Sequence, residues 1–240
     1  LPLFPLSLIV WLWVIYLLVQ TTDGKKLSAG YYYESLKNYK TAKSFYSMLP
    51  NNPDALFHLG MICGNKETDY YNPTLSFQFI YSAARSGNPQ YEAKAAQMLL
   101  CGDGCEKDLS KAFELFKKSA DKGNPEAIRQ IASMYENGEG TAINYGQAIS
   151  YFQRLKDDPE AQIRIARLMQ KCDSELNEAD EYFTSGEYEK AFESYLKAYA
   201  SGNVRAAFRI GQMYLEGKGI QQSAKEAEKY LTMAADKGNA

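Results

Sequence analysis

Three markers recur along this chain at one spacing, and that spacing constrains the architecture more than any other feature. Gly-Asn dyads stand at Gly87-Asn88, Gly123-Asn124, Gly202-Asn203 and Gly238-Asn239, thirty-six residues apart within the first pair and within the last. Glycine triplets keep the same step: GDG at 102–104 and GEG at 138–140, with GKG at 217–219. So do the alanines, at Ala112 and Ala148 and again at Ala191 and Ala227. Three independent markers in one register signal an internal repeat, and a period in this range means stacked supersecondary units.

Each unit reads as two helices. Within 126–156, Ala127, Ile131 and Tyr135 recur at helical spacing until Asn137-Gly138-Glu139-Gly140 interrupts them. Ala148, Tyr151, Phe152 and Leu155 then resume the pattern. Glycines at the break supply the positive φ that a helix stop and a tight reversal require. A pair of helices this short cannot bury its apolar faces alone, so neighbouring units must stack.

The pattern is fullest in the last unit, with Ala206, Ile210, Gly211, Tyr214, Gly217, Gly219, Ala227, Tyr230, Ala234, Ala235 and Gly238. It resembles the Sel-like repeat (SLR), a subclass of the tetratricopeptide (TPR) superfamily. The family's unit runs roughly A-x3-LG-x2-Y-x2-G-x-G, a short loop, then K-A-x2-aromatic-x2-K-A-A-x2-G. Residues 90–124 match in their second half, through Lys111, Ala112, Phe113, Phe116, Ser119, Ala120 and Gly123, but Leu99 replaces the tyrosine of the first half. Residues 54–88 keep Leu59-Gly60 and Ala83-Ala84 around a longer, degraded loop at Asn65–Pro73. Two further units look like plain tetratricopeptide repeats: Tyr39, Ala42 and Tyr46 have the spacing of Tyr188, Ala191 and Tyr195, with Gly186 opening the second turn. The resemblance covers residues 27–240. It implies an all-α, helix-turn-helix solenoid with units at about 27–50, 54–88, 90–124, 126–156, 178–203 and 204–239. It also implies a protein–protein interaction scaffold, the common role in this superfamily.

One stretch breaks the register. Asn124 and Asn203 are seventy-nine residues apart, seven more than two periods, and 161–185 contain neither Gly nor Pro. Ile163, Ile165, Leu168, Met169, Cys172, Leu176, Ala179 and Phe183 can line a helix. The reading is an irregular long helix over 160–177 ahead of the 178–203 unit, or two helices bending near Asp173-Ser174. Such a helix changes the curvature of the stack or offers a ridge to a partner.

The first twenty residues are a different material. Leu1 to Val19 carry no charge, and from Leu6 onward only Ser7 is polar. Nineteen helical residues at about 1.5 Å each nearly span a hydrocarbon core of roughly 30 Å. A signal peptide has a shorter apolar centre and a small-residue cleavage site, which this run lacks. A buried core helix is rarely apolar on every face. The expectation is a single transmembrane helix over 1–20, with Leu6, Trp11, Trp13 and Tyr16 against lipid or a neighbouring helix, joined by a linker over 21–26. Sidedness stays open. Lys25 and Lys26 on the carboxyl flank favour the cytoplasm, whereas a disulfide in the repeats would need an oxidising compartment. The expectation leans slightly to an extracytoplasmic domain, in the periplasm or an organelle lumen.

Cysteine chemistry has two open readings. Of Cys63, Cys101, Cys105 and Cys172, only Cys101 and Cys105 bracket a short turn, so a disulfide between them is geometrically open beside the free-thiol reading. No C-x2-C pair supports zinc, so no metal site is assigned. The sole histidine, His58, lies in the apolar run Leu56-Phe57-His58-Leu59 and reads as a hydrogen-bonded or half-exposed helix residue. GDGCEKD, NGEGTAIN and EGKGIQQ look like phosphate loops only superficially: none follows a strand or has a phosphate-loop form, and the repeat accounts for their glycines. A net charge of −2 supplies no field for nucleic acid. The spacing of Tyr31-Tyr32-Tyr33 and the helix tyrosines is that of packing. No catalytic residue, cofactor or small-molecule substrate is assigned. The leading expectation is a membrane-anchored scaffold or assembly factor whose partners are proteins of a membrane complex. Its alternatives are a structural, accessory subunit of a large membrane machine and, more weakly, a cell-envelope polysaccharide or cell-wall factor.

Overall fold

A computed structural model describes residues 22–236. The expected membrane helix, with Leu6, Trp11, Trp13 and Tyr16, lies outside those residues. Among the described residues no helix is long and apolar enough to cross a membrane, and all regular structure is helical. The chain divides into two compact units, one ending at Lys107 and the other beginning at Asp108.

The first unit holds α1 (Asp23–Ser35), α2 (Tyr39–Ser47), α3 (Pro53–Gly64), α4 (Pro73–Ala84) and α5 (Pro89–Cys101). Consecutive helices pack on one another, most extensively α3 on α4. Its core gathers Ala42, Tyr46, Leu49, Ala55, Leu59 and Ile62, with Tyr33, Tyr39 and Phe79 at the margin. The second unit holds α6 (Leu109–Asp121), α7 (Pro125–Asn137), α8 (Tyr145–Phe152), α9 (Pro159–Thr184), α10 (Tyr188–Ala200), α11 (Val204–Glu216) and α12 (Ala224–Asp236). Leu176, Ala179, Ala191, Tyr195, Ala198, Ala206, Ile210 and Met213 form a core there. The periodic alanines, Ala112, Ala148, Ala191 and Ala227, are all fully buried at 0% exposure. Larger side chains would force those helices apart.

The Gly-Asn dyads now have a physical meaning. Gly87, Gly123 and Gly202 take positive φ and close one helix. The next residue caps the following helix: Asn88 accepts from Gln90 N, Asn124 from Ala127 N and Asn203 from Arg205 N. Such a cap satisfies an amide that has no partner inside the helix, and is worth about 1 kcal/mol.

The glycine triplets divide their labour. Gly102, Gly138 and Gly217 are left-handed and end the first helix of their repeats. Gly104, Gly140 and Gly219 instead press on the first residues of the preceding repeat's second helix: Pro73, Leu109 and Tyr188 respectively. A β-carbon at any of the three would overlap that backbone. The loop of 65–72 lacks the triplet yet ends with the same closure. Asn72 N donates to Cys63 O (2.8 Å), as Asn144 N does to Tyr135 O (2.8 Å) and Ser223 N to Tyr214 O (3.0 Å).

The irregular stretch is one continuous helix, α9, of 26 residues. It runs through Asp173-Ser174 without a break and across the 177/178 position where the sequence reading starts a new unit. Its first half packs on α8 and its second on α10. Near the middle, the buried Asn203 donates from Nδ2 to the Cys172 carbonyl (2.8 Å), and Arg205 pairs with Asp173.

Candidate protein-interaction surface

Buried tyrosines organise carboxylates in both units. In the first, Tyr46 on α2 is fully buried, and its hydroxyl donates to Glu34 Oε2 of α1 at 2.5 Å. His58 Nδ1 of α3 lies 2.7 Å from the same oxygen. The His58 ring packs on Tyr31 and Tyr46, with centroids 4.8 and 5.3 Å away. Burial alone would raise the Glu34 carboxyl, but the hydrogen bonds from His58 and Tyr46 outweigh it and hold the group below its ordinary value. Burial and then the Glu34 bond push the Tyr46 hydroxyl far above its usual range. His58 is therefore the hydrogen-bonded, partly exposed helix residue that its apolar surroundings suggest.

The second unit repeats this arrangement with other residues. The fully buried Tyr195 of α10 donates to Asp180 of α9, and Arg209 Nε of α11 completes the site at 3.3 Å. In each case one carboxylate joins three consecutive helices. Tyr91 makes a related bond to Asp54, 2.5 Å long, while its ring stacks on Phe57 at 4.3 Å. Glu34, Asp54 and Asp180 drew no attention in the sequence because acids do not recur with the period. Their common signal is a core tyrosine whose hydroxyl needs an acceptor.

Beside the Glu34 network, a cavity of about 290 Å³ opens in the first unit. Ile62, Ile80 and Met98 form its apolar floor, Met61 stands at its edge, and Lys94, Asp103 and Glu34 give it charges of both signs. Half-open, with an apolar base and charged margins, it suits an apolar side chain presented on a peptide or loop.

Cys101 ends α5 and is exposed, whereas Cys105 is partly covered in the following loop. Both are free thiols here. Gln97 Nε2 lies 3.2 Å from Cys101 Sγ, and Cys105 Sγ lies 3.6 Å from the Met98 carbonyl. Among the described residues no group of three or more His, Cys, Asp or Glu side chains could hold a metal.

Capped helix pairs and buried alanines recur in four segments, 53–88, 89–124, 125–157 and 204–239, with triplet turns in the last three, and each segment matches the Sel1 repeat. The chain belongs to the Sel1 repeat family. The four repeats account for more than half of it. Members of this family generally mediate protein–protein interaction, and the fold is typically non-catalytic. Solved Sel1 repeat structures resemble the chain as well. One is a protective antigen present in uropathogenic Escherichia coli strains, with an SLR fold: TM-score 0.55 and 23% identity over 91% of this chain. This chain spans 54% of that protein's length. Another is a Sel1 repeat protein from Oxalobacter formigenes, at TM-score 0.50 and 22% identity, covering 89% of this chain and 85% of that one. At these identities the likeness concerns the fold. The two tetratricopeptide-like units, 27–50 and 178–203, lie outside the four matched Sel1 segments.

Proposed function

We propose that this Sel1 repeat protein holds partner proteins at a membrane, as a scaffold or assembly factor for a membrane-associated complex. The observation that carries the binding half is the cavity of the first unit, with its apolar floor of Ile62, Ile80 and Met98 and its charged margin. It offers an anchor pocket for one apolar side chain, and Lys94 and Asp103 can select the charges flanking it. The anchoring half rests on the uncharged run from Leu1 to Val19. The reading places the partners among the subunits of a membrane complex, where tethering raises their effective concentration.

The experiment is affinity capture from solubilised membranes with three chains: the full sequence, one lacking residues 1–20, and one carrying Met61→Arg at the cavity edge. The reading expects a defined set of partners with the full chain, loss of that set with Met61→Arg, and departure from the membrane fraction without residues 1–20. The same partners at the same yield with Met61→Arg would refute the cavity. A chain that stays soluble in cells with residues 1–20 in place would refute the anchor.

A further inference from the structure

Charge is segregated along α9, and only part of it is met inside its own unit. Residues 161–172 carry Arg164, Arg167 and Lys171 and no acid, while residues 173–184 carry Asp173, Glu175, Glu178, Asp180 and Glu181 and no base. The acids toward the carboxyl end oppose the helix macrodipole, whereas Glu160 in the first turn agrees with it. Some of these charges are met locally. Arg164 reaches Glu136 at 3.3 Å, Lys171 lies 4.5 Å from the centre of the Tyr145 ring, Asp173 pairs with Arg205, and Asp180 pairs with Arg209.

The outer side of the helix is different. Ala161, Ile165, Leu168, Leu176 and Ala179 are buried on the inner side, which turns Ala166, Arg167, Gln170, Ser174, Glu178 and Glu181 to solvent. Ile163 on this side is 69% exposed, a large value for an apolar side chain. Arg167, Glu178 and Glu181 form no ion pair among the described residues. Eleven and fourteen residues separate Arg167 from Glu178 and Glu181, about three and four helical turns, so all three lie on one stripe. The stripe is cationic and apolar at one end, acidic at the other, and has the small Ser174 between.

Such a stripe is complementary to itself when reversed. We propose that α9 is a self-association surface through which two copies of this chain meet antiparallel. Arg167 of each copy faces Glu178 and Glu181 of the other about a two-fold axis near Ser174. The contact is isologous, so each charge pair occurs twice. Antiparallel pairing also opposes the two macrodipoles and covers Ile163, while Ala166 and Ser174 let the backbones approach. One helix face is a small interface, so the dimer is a weak one that forms as concentration rises.

The test uses the full chain in detergent, two charge reversals, and sedimentation across a concentration series. Arg167→Glu alone and Glu178→Lys/Glu181→Lys together should each raise the dimer dissociation constant about tenfold or more, because like charges then face each other twice. Mixing the two variants should restore dimers, now mixed ones, since both contacts again pair opposite charges. Arg167→Gln should fall between the native chain and Arg167→Glu, and helicity should be unchanged in all of them. A chain monomeric throughout the series overturns the proposal. So does a dimer indifferent to Arg167→Glu, which would place the association elsewhere, or a mixture no better than its components.

Discussion

Gly140 lies so close to the carbonyl of Leu109 that a β-carbon at position 140 would overlap that backbone. Gly138, two residues earlier, has the same left-handed conformation (φ 74° against 70°) but more room, since a β-carbon there would meet first the side-chain atom Ile143 Cγ1, at 3.0 Å. Gly138→Ala should therefore cost about 1–2 kcal/mol from backbone conformation alone. Gly140→Ala should cost clearly more, about 3 kcal/mol or above, because the backbones must also separate. Urea denaturation of the two variants side by side checks the order, and equal losses would show that the contact with Leu109 is slack.

The Tyr46–Glu34–His58 group predicts a pH dependence of definite sign. Glu34 ionises below its ordinary value of about 4.5 in the folded chain because its hydrogen bonds favour the carboxylate. That contribution is fully present above about pH 4.5 and is lost as the pH falls through the lower, folded value. Thermal midpoints measured from neutral to acid pH should drop less steeply in Glu34→Gln than in the native chain. Tyr46→Phe should cost about 1–3 kcal/mol at neutral pH, leaving Glu34 short of a donor.

Alkaline titration offers an independent check. Burial and then the neighbouring carboxylates raise Tyr46, Tyr91 and Tyr195 well above the ordinary value of 10, and Tyr151 to about 12. Their stabilising contribution is complete below pH 10 and disappears as the pH passes the raised folded values. Ultraviolet absorbance should show these four ionising only together with loss of helix. Ionisation of all tyrosines in one step before any unfolding would contradict the buried hydrogen bonds.

Thiol reactivity should follow exposure. Cys101 is exposed, Cys63 is buried, and burial followed by Glu175 and Asp173 pushes the Cys172 thiol up to about 11. Under reducing conditions a brief treatment with an alkylating agent should label Cys101 first, with Cys63 and Cys172 protected until denaturant is added. Peptide mass spectrometry gives the order directly, and early labelling of Cys172 would show that the middle of α9 opens.

Asn203 does two things with one side chain, capping α11 at Arg205 N and donating to the Cys172 carbonyl of α9. Asn203→Ala should cost about 1–3 kcal/mol, the loss of a cap plus an unmet buried acceptor. Asn203→Asp should keep the cap and lose the donor, giving a smaller loss. Identical costs would mean that the cap contributes nothing, and an Asn203→Asp without cost that the bond to Cys172 contributes nothing.

How much of this was readable before the structure follows from the range of the forces. The dyads, the triplets and the alanines act within one repeat or at its junction with the next, so the period exposes them directly. Gly104 and Gly140 could be assigned to turns from sequence, but not to their approach to Pro73 and Leu109, which depends on how repeats stack. The Glu34 and Asp180 networks were invisible for a similar reason. Each joins three helices through side chains of different kinds, His58 in one and Arg209 in the other, so no pattern repeats. The cavity at Met61 and Met98 likewise forms between helices that the chain brings together only on folding. The continuity of α9 lay between: the absence of Gly and Pro pointed to helix, and a bend at Asp173-Ser174 stayed open because neither residue forbids one.

The spacing of the inward residues along α9 has a geometric meaning. At 26 residues the helix is twice as long as α10 or α11, yet Ala179 follows Ala161 by about five full turns and Leu176 follows Ile165 by about three. Leu176 and Ala179 therefore stay on the inward azimuth set by Ala161, Ile165 and Leu168. Half a turn more or less between the two sets would rotate everything downstream to the opposite side, swapping buried alanine for glutamate. Splicing by whole turns gives this architecture a way to change the reach of one strut without redesigning the joints at its ends.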